Sequence, residues 1–172
     1  RIPSSAASDV YKRQIHTNAN FYNLTVNSGS YEVDAGSNFN VNSALTVTSG
    51  SLDISSYTAT VSGATVIDGT LKISTGIYDA NNSFTASGGN ITFTDAGFLK
   101  CALSVGSIGT LSTSNGTVVY DRSSGTQNVT QGTYNNLTID GNASHQSGGG
   151  VGINCLGNLV VNQNGSTVFD VR

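Results

Sequence analysis

The chain of 172 residues has no methionine and no tryptophan, a single proline, two cysteines and only 10% charged residues, against about 25% in an ordinary globular domain. Its net charge of −3 comes with no basic cluster, so there is no electrostatic footprint for nucleic acid or for an anionic membrane surface. Neither partner is expected. No run of 18 apolar residues is present, so no membrane span is encoded, and no basic, then apolar, then small-residue pattern marks a leader at the start. Without an initiating methionine either, the expectation is a fragment of a longer protein whose export signal lies elsewhere. Cys101 and Cys155 show no CxxC spacing and hence no zinc signature. Their separation of 54 residues leaves open whether they pair. No phosphate loop, calcium-binding GGxGxD repeat or nucleophile elbow occurs, and no cofactor is expected.

Ser (24), Thr (20), Asn (19) and Gly (21) make up almost half the chain. The apolar set is dominated by 16 Val, 10 Ile, 7 Tyr and 6 Phe, a mixture that favours β structure. Low charge and regularly placed apolar residues argue against disorder. The first fourteen residues, RIPSSAASDVYKRQ, stand apart. They hold the only proline and three of the seven basic residues, Arg1, Lys12 and Arg13, and they resemble translated linker or adapter sequence. Residues 1–14 are therefore set aside as a non-native or disordered leader, with 15–172 as a single folded segment.

Four strings align: VNSGSYEV (26–33), VTSGSLDI (47–54), VIDGTLKI (66–73) and ASGGNITF (86–93), with a weaker fifth, GSIGTLST (106–113). Their glycines, Gly29, Gly50, Gly69, Gly89 and Gly109, are spaced by 21, 19, 20 and 20 residues. Before each of the first four lies an apolar-Thr-apolar triplet (Leu24-Thr25-Val26, Leu45-Thr46-Val47, Ala64-Thr65-Val66, and Phe84-Thr85-Ala86), and after it an apolar-any-apolar triplet. A third apolar pair follows in most units, as in Phe39 with Val41 and Ala59 with Val61. Period-two alternation on both sides of a glycine describes short strands joined by a bend, and glycine suits the bend because it accepts positive φ. Units this small bury their apolar faces only by stacking.

The expected fold is therefore all-β, a parallel β-helix or β-solenoid with about 20 residues per coil, and the crossover rule favours a right-handed one. Stacking would place Leu24, Leu45, Ala64 and Phe84 in one internal column, Val26, Val47, Val66 and Ala86 in another, and Thr25, Thr46, Thr65 and Thr85 in an outward ladder. A longer period is also visible: FYNLTV (21–26) is similar to YNNLTI (134–139), 113 residues on, giving one super-repeat over 21–133 and the start of the next over 134–172.

Strings such as GTVVYDRSSGTQNVTQGTYNNLTIDG (116–141) resemble the Gly, Asn, Ser and Thr-rich repeats of very large secreted or surface-anchored bacterial proteins, including adhesin-like filaments. That resemblance implies export to the cell surface and a structural stalk or adhesive role, with neighbouring repeats of the same chain, and cell-surface glycans or proteins, as partners. It carries over no catalytic residue. Two other readings stay open: a fragment of a carbohydrate-active β-helix enzyme, and an ice-binding solenoid using the Thr ladder.

Individual residues point to little chemistry. Glu32, Asp53 and Lys72 should stack into an outward row, read as a solvated face rather than a sugar-cleaving site. Asp121 and Arg122 read as a turn. His16 and His145 stand alone in polar loop sequence, and SHQSGGGVG (144–152) reads as a flexible loop. The chain is expected not to be an enzyme.

Overall fold

The computed structural model describes residues 13–15, 19–34, 38–112, 114–148 and 152–162, together with the backbone of 169–170. Residues 1–12 of the leader, and His16, lie outside them. Strands follow one another in short steps: β1 (Arg13–Ile15), β2 (Asn20–Phe21), β3 (Leu24–Val26), β4 (Ser30–Val33), β5 (Phe39–Val41), β6 (Leu45–Val47), β7 (Ser51–Asp53), β8 (Thr58–Val61), β9 (Thr65–Ile67), β10 (Thr70–Ile73), β11 (Ile77–Ala80) and β12 (Phe84–Thr85). The second half continues with β13 (Asn90–Phe93), β14 (Phe98–Cys101), β15 (Val105–Ser107), β16 (Thr110–Leu111), β17 (Thr117–Tyr120), β18 (Thr126–Val129), β19 (Gly132–Tyr134), β20 (Asn136–Ile139), β21 (Ser144–Ser147), β22 (Ile153–Cys155), β23 (Leu159–Val161) and β24 (Phe169–Asp170). β1 takes in Arg13 and Gln14, which composition groups with the leader, and pairs them with Tyr31 and Glu32.

Up to β17 every third strand pairs in parallel, so each coil contributes three strands to three faces. The first face runs β1-β4-β7-β10-β13-β16, the second β2-β5-β8-β11-β14-β17-β20-β23, and the third β3-β6-β9-β12-β15. The chain is thus a parallel β-solenoid of about seven turns, as the repeat implies.

Inside, equivalent residues pile up. On the second face one column runs Phe39, Ala59, Tyr78, Leu99, Val118, Leu137, and its neighbour Val41, Val61, Ala80, Cys101, Tyr120, Ile139, all buried. At one point a small residue is set between two large ones: Ala59 lies between Phe39 and Tyr78. Interdigitation of this kind fills a narrow core to native density. The Tyr78 ring meets Phe84 edge-on, with centroids 6.3 Å apart, in an arrangement aromatic pairs favour.

The corner glycines stack as their spacing indicates. Ser51 N donates to Gly29 O at 2.8 Å, Thr70 N to Gly50 O at 2.9 Å, Asn90 N to Gly69 O at 2.9 Å and Thr110 N to Gly89 O at 3.0 Å. Of the five corner glycines, Gly29, Gly50 and Gly109 have positive φ. At Gly50, φ is +78° and a Cβ would sit 2.1 Å from Gly29 O, so backbone conformation and close stacking both demand glycine. At Gly69 the need is close approach alone, since a Cβ there would meet Gly50 O at 2.7 Å.

The abundance of Asn has a structural cause. Asn23 Oδ1 accepts from Ala44 N at 3.0 Å, Asn38 Oδ1 from Thr58 N at 2.9 Å and Asn136 Oδ1 from Asn158 N at 2.9 Å. Short amide side chains at corners and strand starts thus satisfy backbone donors one coil ahead. On the faces they bond to one another, as Asn40 Nδ2 does to Asn20 Oδ1 at 3.1 Å.

Candidate functional site

The Thr ladder is broken at its third rung. Thr25 pairs with Thr46, but Thr46 pairs with Val66 and Val66 with Thr85. Thr65 instead pairs with Leu45 and Phe84, is buried, and shares a 3.1 Å hydrogen bond with the Tyr78 hydroxyl. The internal columns are therefore Leu24, Leu45, Thr65, Phe84 and Val26, Val47, Ile67, with Ala64 and Val66 excluded. The cause lies in the corner. Coil three turns with Asp68-Gly69 where coil two uses Thr48-Ser49-Gly50, so the short spacing of 19 removes a corner residue and leaves the strand register one step from the glycine-anchored alignment. Burying Ile67 in place of Val66 gains apolar contact, and Tyr78 supplies the partner that the Thr65 hydroxyl needs.

The row of Glu32, Asp53 and Lys72 is in register as expected and continues to Thr92. Lys100 stacks over Asp79 on the second face and lies 3.8 Å from the Asp121 carboxylate. Burial raises the Asp121 pKa, opposed by Lys100 and aided by Asp79 and Asp140. An ion pair this exposed contributes little to stability. Cys101 and Cys155 are both free thiols. Cys101 is a core residue whose thiol pKa is pushed up, first by burial, which makes it an inert packing group.

The most structured polar site lies where the sequence shows only a degenerate string. The first face ends at β16 and the third at β15, whereas β18-β21-β24 and β19-β22 form separate small sheets. Only the second face passes unbroken from β14 through β17 and β20 to β23. A seam therefore separates the coils up to β16 from those beginning at β18, without a main-chain ladder on two faces and with a continuous one on the third.

One side of the seam is stitched by side chains. Gln127, at an inward position of β18, is buried and uses its whole hydrogen-bonding capacity. Its Nε2 donates to Cys101 O at 2.7 Å and Leu103 O at 2.6 Å, while its Oε1 accepts from Arg122 N at 3.2 Å and His145 Nε2 at 2.9 Å. An amide oxygen only accepts, so His145 carries its proton on Nε2. Thr130 Oγ1 donates to Val105 O at 3.0 Å. These bonds replace the missing ladder between β15 and β18 with contacts from side chain to main chain.

Behind them lies a closed hydroxyl chain. Tyr134 OH donates to Thr130 O, Tyr120 OH donates to Tyr134 OH at 3.0 Å, and Thr130 N donates to Tyr120 OH at 3.1 Å. Burial, the largest cause, pushes the Tyr120 hydroxyl up to about 12 and raises that of Tyr134 as well. Neither is an acid or base at neutral pH. Their work is to hold the turn from Thr130 to Tyr134.

Two expectations are corrected here. Residues 144–147 are not loop but strand β21, paired with β18 residue for residue, and Gly149 to Val151 lie outside the described residues. His145 is not in polar loop but stacks on Gln127 in the interior, fully buried. The alternation missed it because the inward residues of β18 and β21 include Gln, His and Ser, which read as solvent-facing. The available signal was the spacing of Gln127 to His145, 18 residues, close to one coil.

Among the described residues no group of three or more His, Cys, Asp or Glu is placed to hold a metal, and no helix is long and apolar enough to cross a membrane. Comparison with protein-family models, with curated proteins and with solved structures finds no match. The two strings separated by 113 residues occupy different faces: Leu24-Thr25-Val26 the third, Leu137-Thr138-Ile139 the second.

Proposed function

We propose that this solenoid is a structural element, a spacer or adhesive stalk in a bacterial extracellular surface protein, and that it performs no catalysis. The observation that supports the reading is the uninterrupted second face. Eight parallel strands share one register-locked ladder, so each coil of about 20 residues lengthens the rod by about 4.8 Å. Extension at a repeated strand spacing is what a spacer needs, and faces rich in Ser, Thr and Asn keep it in water with few charges. The repeat resemblance supplies the surface location, and glycans or proteins of neighbouring cells would be met at the far end of such a rod.

Antibodies against this segment should label intact, unpermeabilised source cells, and protease added outside those cells should remove the epitope. Labelling that appears only after permeabilisation would overturn the surface reading. The ice-binding alternative loses its support with Thr65 turned inward and Val66 in its place.

A further inference from the structure

The stitched side of the seam carries a polar groove whose capacity the stitching does not use up. Where β15 and β18 lack a ladder, a depression of about 320 Å³ opens, lined by Ser104, Arg122, Thr126, Asn128 and Gln146 with the buried Gln127 below them. That size falls within the range of about 300–1,000 Å³ typical of ligand sites. Val105 is the only apolar residue of the lining, so the groove suits a polar ligand and not an apolar one.

The informative group is Arg122. Its main chain is fixed at both ends, the N–H donating to Gln127 Oε1 at 3.2 Å and the carbonyl accepting from Ala143 N at 3.1 Å. Its Nε donates to Ser124 O at 2.6 Å, which holds the guanidinium plane. A side chain at Gly125 would begin 3.5 Å from the Nη2 of Arg122, so glycine there leaves the guanidinium uncovered. Among the described residues its terminal nitrogens make no hydrogen bond and no ion pair. Asp121, the acid beside it in the chain, is paired with Lys100 instead. A half-buried guanidinium held in place with its fork unused is informative, because a partly desolvated charge is normally answered by a partner.

Its neighbours have unused capacity of the complementary kind. Asn128 and Gln146 stack in register on β18 and β21, and Gln146 Nε2 donates to Asn128 Oδ1 at 2.8 Å. That bond orients both amides and leaves Asn128 Nδ2 as a donor and Gln146 Oε1 as an acceptor, a pattern that ring hydroxyls, each both donor and acceptor, can satisfy. A guanidinium forks a carboxylate through two parallel bonds. One positive charge in an otherwise neutral groove matches a carboxylate, which carries one negative charge, better than a phosphate, which carries about two.

We propose that this groove binds an anionic sugar, a uronate whose carboxylate is forked by Arg122 and whose hydroxyls bond to Asn128 and Gln146. The site goes beyond the stalk reading and does not rest on it: antibody labelling tests where the protein is, and ligand binding tests what the groove takes.

The probe is digalacturonate, titrated into the isotope-labelled whole chain. It should shift the side-chain resonances of Arg122 Nε, Asn128 and Gln146 saturably and leave β8 and β11 unmoved. Its methyl ester should bind at least about tenfold more weakly, having lost the charge-assisted pair. Arg122→Gln should do the same, and Arg122→Lys should fall between, since it keeps the charge and loses the fork. Both retain the main-chain bonds at 122, and an unchanged amide spectrum over β18 and β21 verifies their fold. Asn128→Ala, at an exposed position away from that turn, should weaken binding about two- to tenfold. No shift at the groove with millimolar digalacturonate, equal binding of the methyl ester, tighter binding of inorganic phosphate, or acetate binding as tightly as the sugar would each overturn the proposal.

Discussion

Gln127→Leu removes the stitch while keeping nearly the same volume, so the cavity contribution is small and the cost comes from orphaned polar groups. Four bonds are lost, but the four partners do not suffer equally. Cys101 O keeps a second donor, Asp121 N, at 3.2 Å. Leu103 and Arg122 are half-buried, so water can recover part of what their backbone groups lose. His145 is fully buried but keeps backbone hydrogen-bond partners at Ala143 and Tyr120. With four bonds lost at about 0.5–1 kcal/mol each, the expected loss is about 2–4 kcal/mol.

The location of the loss is as diagnostic as its size. Coils before β16 are held by ladders on all three faces, so their stability does not pass through Gln127. Hydrogen exchange read by mass spectrometry should show peptides covering β18 and β21 losing protection by about 30- to 1,000-fold, the equivalent of that free energy. Peptides covering β8 and β11 should be unchanged. Equal loss along the whole chain would show that the solenoid opens as one unit and that the seam is not a boundary. Unchanged protection at β18 would show that Gln127 is not holding it.

The register of the third coil predicts that Thr65→Val costs about 1–3 kcal/mol, by leaving the buried Tyr78 hydroxyl without its partner, whereas Thr46→Val stays within about 0.5 kcal/mol; urea unfolding of the two variants separates them. Gly29→Ala should cost about 1–2 kcal/mol for its left-handed φ alone, while Gly50→Ala should cost clearly more, because its Cβ also meets Gly29 O; equal midpoints for the two would refute the stacked-corner account. Burial lowers the pKa of His145 below its ordinary value. The unfolded chain therefore binds this proton first, and the stability that His145 confers as a neutral residue is intact above about pH 6.5 and falls as pH drops below it. The urea midpoint should be lower at pH 5 than at pH 7.5, and His145→Gln should narrow that difference.

What the sequence makes legible is whatever repeats with an apolar side chain. The pairs Phe39 with Val41 and Ala59 with Val61, and the glycine column, are all in register, because an apolar residue every second position leaves one face no alternative to burial. Thr65 was not legible, because Ala-Thr-Val and Thr-Val-Ile are both acceptable half-buried strands. The corner shortened at Asp68-Gly69 and the Tyr78 hydroxyl, 13 residues away, together decide between them. The apparent 113-residue repeat has the same origin: an apolar-Thr-apolar triplet fits any face, so likeness between 21–26 and 134–139 reports strand type and not position in the coil.

The same ambiguity explains why the seam is hidden. Of the buried polar residues Ser51, Thr65, Gln127, His145 and Ser147, three fall in β18 and β21, which is where the ladders of two faces restart. An apolar column tolerates many neighbours, since dispersion and burial are non-directional. A buried amide with four fixed partners tolerates one, because any other register leaves donors and acceptors unpaired. Polar residues inside β18 thus help to fix how the second block of coils sits on the first, on a face where main-chain pairing no longer does so. The string from Gly116 to Gly141 that carries the resemblance to surface-protein repeats is, on this account, the part that specifies a junction, and its Gln, Thr and Tyr positions should be far less tolerant of substitution than the Val and Ile positions of the coils around them.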